Sequence, residues 1–202
     1  MIELFEQLKD RKSAKRRSAA KKLRKMADPS AEEALLEAFK NEIKDPRTWE
    51  TQYQIIMALG ECGIKSALNA LEEYASTDIE ATMVYVALGD AIVRLSIKSN
   101  TDVSPIYSII KSNNLMLLDG AFRAMAMLQM VPNENDISKI IEYASKLDKE
   151  HFLRFWVVAA TPGWKCKKAI NFIKECGDVE REDVKLAASL AAQGKYKKWS
   201  PL

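Results

Sequence analysis

The sequence predicts an all-α fold, a right-handed α-α superhelix of about five helix pairs plus a closing helix. Three observations carry this. Apolar residues recur at three- and four-residue spacing rather than alternating. Gly and Pro are few, at seven and six in 202 residues. One block of the chain also repeats another at a constant shift of 36 residues. With 48% apolar residues the chain can bury a substantial core, and residues 1–202 read as a single repeat domain.

The first element is the most biased in composition. Between Lys9 and Lys25 stand ten basic residues against Asp10 alone, a local charge of +9; since the chain totals +3, the remainder carries −6. Ser13 is the expected N-cap, and Ala19, Ala20, Leu23 and Met26 form the apolar stripe of the helix that follows. Lys15, Arg17, Lys21, Lys22, Arg24 and Lys25 spread over the opposite face, with Arg16 at the stripe's edge. Asp28-Pro29-Ser30 breaks this helix, and Ser30-Ala31-Glu32-Glu33 opens its partner, which runs to about Lys44 with acids in the first turn.

Residues 51–75 are the clearest copy, two short helices joined by a Gly-centred turn. In the first, Trp49, Ile55, Ile56, Leu59 and Cys62 share one side and Glu50, Gln54 and Glu61 a narrow opposite strip; in the second, Ala67, Leu68, Ala70, Leu71, Tyr74 and Ala75 oppose Lys65, Asn69, Glu72 and Glu73. The shift of 36 residues aligns Ala19, Ala20, Leu23, Met26, Ala31, Ala34 and Leu35 with Ile55, Ile56, Leu59, Cys62, Ala67, Ala70 and Leu71. Neither helix buries its apolar face alone, so such units stack. Further pairs are expected at about 78–97 with 103–112, 114–130 with 134–147 and 149–160 with 164–176. A last helix near 180–194 then precedes the basic tail KYKKWSPL, and Asn113-Asn114, Pro132-Asn133 and Thr161-Pro162-Gly163 mark turns.

The segment from Arg16 to Ala75, with its Asp-Pro turns at Asp28-Pro29 and Asp45-Pro46, resembles tandem HEAT or HEAT-like repeats of the armadillo-type α-solenoid class. That resemblance implies a fold defined by packing and a non-catalytic scaffold that binds a protein partner on its curved surface. A fainter similarity, in ALGDAIVRL and LMLLDGAFRAMAML, is to the HEAT-like alkylpurine DNA glycosylases. It would match Arg123 to their phosphate-contacting arginine. Their catalytic aspartate and tryptophan would fall near Ala81 and Thr77, with only Glu80 nearby, so the resemblance fails where their chemistry would sit.

Three carboxylates are followed four residues later by arginine: Asp90 with Arg94, Asp119 with Arg123, and Glu150 with Arg154. A recurring pair on an apolar helix is expected to be an ion pair of the scaffold; an enzyme using Glu80 or Asp119 is the distant alternative. The basic first helix is the expected contact for an acidic partner or, alternatively, for DNA or RNA, through Lys15, Arg17, Lys21, Lys22, Arg24 and Lys25. Trp164 among Lys165, Lys167 and Lys168, and Tyr196 and Trp199 among Lys195, Lys197 and Lys198, interleave aromatics and cations as nucleic-acid contacts do. No catalytic residues, cofactor or metal site is expected: His151 has no second histidine, and no Gly-rich phosphate loop occurs. Three cysteines, with charges from the third residue of the chain, suggest a reducing cytoplasm, and no segment suits a membrane span.

Overall fold

The computed structural model describes residues 1–201, which contain twelve α-helices and no strand. No helix among them is long and apolar enough to cross a membrane. The chain divides into two compact units, Met1–Ser96 and Ile97–Leu202. Leu202, the end of the predicted tail, lies outside the described residues.

The first unit holds α1 (Ile2–Gln7), α2 (Ser13–Met26), α3 (Glu32–Glu42), α4 (Trp49–Glu61), α5 (Leu68–Ala75) and α6 (Thr82–Ser96). Helix α4 lies between α2 and α6, with α3 packed on α4 and α5 on α6. Covered from several sides, α4 is buried at every position from Thr51 to Gly60. Gln54 is therefore core rather than part of a wet strip. Each Asp-Pro turn works the same way: the carboxylate of Asp28 or Asp45 accepts the backbone N–H two residues on, and proline opens a single 3-10 turn that feeds the next helix.

The predicted repeat is visible in the backbone. The 3-10 turns Pro29–Ala31 and Lys65–Ala67 lie 36 residues apart, as do the first residues of α3 and α5. Ala27 (φ 49°) and Gly63 (φ 70°), again 36 apart, both stand in the left-handed region that ends a helix. Of the aligned apolar pairs, one departs: Cys62 is buried, its thiol donating to the Leu23 carbonyl on α2, whereas Met26 is 50% exposed. Gly60 is a different case from Gly63. A Cβ there would stand 2.8 Å from Ala91 Cα, so α4 and α6 touch backbone to backbone at this point.

The second unit holds α7 (Ser104–Lys111), α8 (Leu115–Met127), α9 (Glu134–Ser145), α10 (Leu153–Ala160), α11 (Lys167–Gly177) and α12 (Glu182–Ala192). Helix α10 packs on α8 and α12, with α9 against α10 and α11. Asn114 and Asn133 cap α8 and α9 by accepting backbone N–H groups of the first turn. Trp164 is buried, and its indole N–H donates to the Met130 carbonyl at 2.8 Å.

Candidate partner-binding face and buried polar groups

Helix α2 starts where the Asp10 carboxylate accepts the Lys12 N–H at 2.8 Å, so Lys12 rather than Ser13 is the boundary residue. Its inward side is wider than the apolar stripe, because α4 covers a second flank. The ten cations of the segment consequently divide. Arg24 is 2% exposed and donates to Gln54 Oε1 of α4 at 2.8 Å. This corrects the expectation that Arg24 belongs to a binding surface. Arg16 holds the buried Glu42 carboxylate through two bonds, at 2.6 and 2.7 Å, and also donates to the Asp10 and Arg11 carbonyls. Such a forked, charge-assisted contact is a clamp between α2 and α3.

Arg17 pairs with Glu50, Lys15 with Asp10 at 2.9 Å and Lys9 with Glu37 at 3.1 Å. These pairs are solvent-exposed, so water and salt screen them and they contribute little to stability. Among the described residues Arg11, Lys12, Lys21, Lys22 and Lys25 carry no ion pair. At 100° per residue Lys21, Lys22 and Lys25 fall with Ser18 and Lys15 on one strip, opposite the buried Ala20 and Leu23. Lys22 and Lys25 are exposed and Lys21 half-buried. The outward strip of α2 is thus a row of lysines, with Arg17 paired to Glu50 and Arg24 buried.

The three Asp/Glu-Arg pairs resolve differently. Arg94 Nε donates to the fully buried Asp90 carboxylate at 2.5 Å within α6. Burial pushes the carboxyl of Asp119, on α8, up to about 6, against the opposing pull of the nearby Arg123 and Arg181 guanidinium groups. Glu150 and Arg154 do not pair, which corrects the expected third ion pair. Helix α10 begins only at Leu153, so the two are not one helical turn apart. Glu150 instead accepts the Glu180 and Arg181 N–H groups at 2.9 and 2.8 Å, tying down the entry to α12. Arg154, wholly buried, reaches Glu175 of α11 at 2.5 Å and the Cys176 thiol at 3.7 Å, with its guanidinium 5.1 Å from the Phe172 ring centre.

His151 Nδ1 accepts the Leu153 N–H at 3.3 Å and its ring stacks on Phe152, the placing of a helix-start residue. Burial pushes the Cys62 thiol up to about 11, which removes it as a thiolate nucleophile at neutral pH. The expected aromatic contacts are also revised: Trp164 is core, and Tyr196 and Trp199 are half-buried against the second unit. No cluster of metal-ligating side chains occurs among the described residues.

Residues 3–89 match the family model for HEAT repeats, a span from α1 through most of α6. No curated protein and no solved structure matches the chain.

Proposed function

We propose, from the HEAT repeats of residues 3–89, that this chain is a non-catalytic scaffold whose α2 face receives an acidic segment of another protein. Stacked helix pairs present long continuous surfaces to macromolecules, and function then lies in what those surfaces carry. The observation behind this reading is the strip of Lys21, Lys22 and Lys25, which have no ion pair among the described residues, on a helix whose arginines 16, 17 and 24 are engaged by the protein itself. Lysine is a compact, strongly hydrated point charge on a flexible stem, suited to carboxylates without demanding a fixed geometry. A single domain over residues 1–202 and residence in a reducing cytoplasm belong to the same reading, and the three free cysteines support the second.

The test compares the protein with a Lys21→Glu/Lys22→Glu/Lys25→Glu variant for binding to a labelled glutamate-rich peptide and to a labelled DNA duplex. Binding of the peptide that weakens at least tenfold in the variant is the expected result. The alternative reading, a nucleic-acid-binding solenoid on the same strip, predicts duplex binding that falls steeply between 50 and 200 mM salt, with a log–log slope of roughly −3 if three lysines contact phosphates. Equal peptide binding by protein and variant would refute the assignment of this face.

A further inference from the structure

The lysine strip of α2 has an acidic counterpart in the same unit. Residues 72–80 hold Glu72, Glu73, Asp78 and Glu80 and no lysine or arginine, so this short stretch carries −4 of the −6 that offsets the basic segment. All four side chains are exposed, and none has an ion pair among the described residues. Other acids of the first unit are engaged: Glu37, Glu42 and Glu50 are taken up by Lys9, Arg16 and Arg17. Unpaired negative charge thus gathers at residues 72–80 as unpaired positive charge gathers at Lys21, Lys22 and Lys25.

The local structure holds this acidic edge in place and gains nothing from its charge. Glu72 and Glu73 stand in the last turn of α5, where there is no basic residue. Negative charge there opposes the helix dipole, so both acids weaken α5 rather than support it. The loop that follows is pinned from two sides. The Tyr85 hydroxyl donates to the Thr77 carbonyl at 2.6 Å and accepts the Ile79 N–H at 3.0 Å, and Thr77 Oγ1 donates to the Tyr74 carbonyl at 2.8 Å. Asp78 therefore projects from a fixed backbone beside the end of α5, with Glu80 two residues on, and little ordering entropy is lost when a cationic surface docks. Within one chain this edge and the α2 strip stand apart, because α4 lies between α2 and α6 and α5 packs on α6.

We propose that the acidic segment received by the α2 face is residues 72–80 of a second copy of this chain. The proposal rests on the reading of α2 as a face for acidic protein and names that protein. Two complementary patches at different places on one molecule make a head-to-tail contact, in which every copy offers one patch of each sign and association continues into short chains or closes into a ring. Exposed ion pairs are individually weak. Several acting together give an association that grows with protein concentration and is screened by salt.

Sedimentation equilibrium of the full chain tests this. The mean mass is expected to rise with protein concentration at about 50 mM salt, and the association constant to fall about tenfold or more by about 500 mM. Lys21→Glu/Lys22→Glu/Lys25→Glu and Glu72→Lys/Glu73→Lys/Glu80→Lys should each be monomeric alone and should associate when mixed, because the two altered faces are again opposite in sign. The glutamate-rich peptide should dissociate the unaltered protein, a readout that requires no variant to fold. A Glu72→Lys/Glu73→Lys/Glu80→Lys protein that associates like the unaltered chain, or a mixture of the two variants that stays monomeric, overturns the proposal. An unaltered protein that is monomeric at low salt yet binds the peptide overturns this proposal alone; one that is monomeric and ignores the peptide overturns the reading of α2 with it.

Discussion

Ala27→Gly and Gly63→Ala exchange the residues at two equivalent helix ends, and the repeat requires them to shift stability in opposite directions. Both positions have positive φ, 49° at Ala27 and 70° at Gly63. An L residue held in the left-handed region costs roughly 1–2 kcal/mol. Glycine removes that cost, at an unfolded-state entropy loss of about 0.4–1 kcal/mol. No heavy atom lies within 4 Å of a Cβ placed on Gly63, so no clash adds to the balance there. Ala27→Gly is therefore expected to stabilise by about 0.5–1 kcal/mol and Gly63→Ala to destabilise by about the same. Urea denaturation measures both: with a slope of about 1–3 kcal/mol per molar, the midpoints should move apart by several tenths of a molar at unchanged slope. The combined exchange should return close to the original midpoint, since distant sites add. If both single changes shift the midpoint the same way, or Ala27→Gly lowers it, the equivalence of the two turns is wrong.

The remaining predictions concern packing and buried charge. Gly60→Ala should destabilise by about 1–3 kcal/mol through overpacking against Ala91, despite the roughly 1 kcal/mol that alanine adds in helix propensity; a stabilised variant in thermal melts would show that α4 and α6 do not touch there. Arg24→Ala should cost about 2–4 kcal/mol by deleting a buried, charge-assisted hydrogen bond to Gln54 and the packing of the arginine stem between α2 and α4, whereas Lys25→Ala on the neighbouring surface should change stability by less than about 0.5 kcal/mol. Similar losses in urea titrations of the two variants would return Arg24 to the surface. Asp119 carries a pH signature. Its folded carboxyl, near 6, lies above the ordinary 3.8, so the folded state favours the protonated acid. That contribution is full below about pH 4 and lost as pH rises through 6, amounting to about 3 kcal/mol in total. Asp119→Asn should accordingly gain stability relative to the unaltered protein between pH 4 and 7; a constant offset across that range would contradict the buried placement.

Much of the architecture was legible because helical periodicity and turn chemistry are local. Ala19, Ala20, Leu23, Ala31 and Leu35 could be matched to Ile55, Ile56, Leu59, Ala67 and Leu71 from spacing alone, and each of these residues is buried. The Asp-Pro turns declared themselves because an aspartate capping the N–H two residues on and a proline with fixed φ act within four residues. The candidate face was legible in part. Ten cations around α2 were plain in the composition, but which of them the fold takes up was not, since Gln54 and Glu42, which hold Arg24 and Arg16, lie 30 and 26 residues away.

The sequence by itself determined the helix pairs, their turns and the excess positive charge at α2, because each depends on residues within one or two helical turns of one another. Only the tertiary structure decided that Arg24 is core, that Glu150 holds the backbone leading into α12 while Arg154 turns to Glu175, and that Trp199 lies across Arg123 and Trp156. Those outcomes depend on which helix covers which flank. A long polar side chain with two possible partners takes the one that packing brings within reach and shields from water, and that partner is distant along the chain.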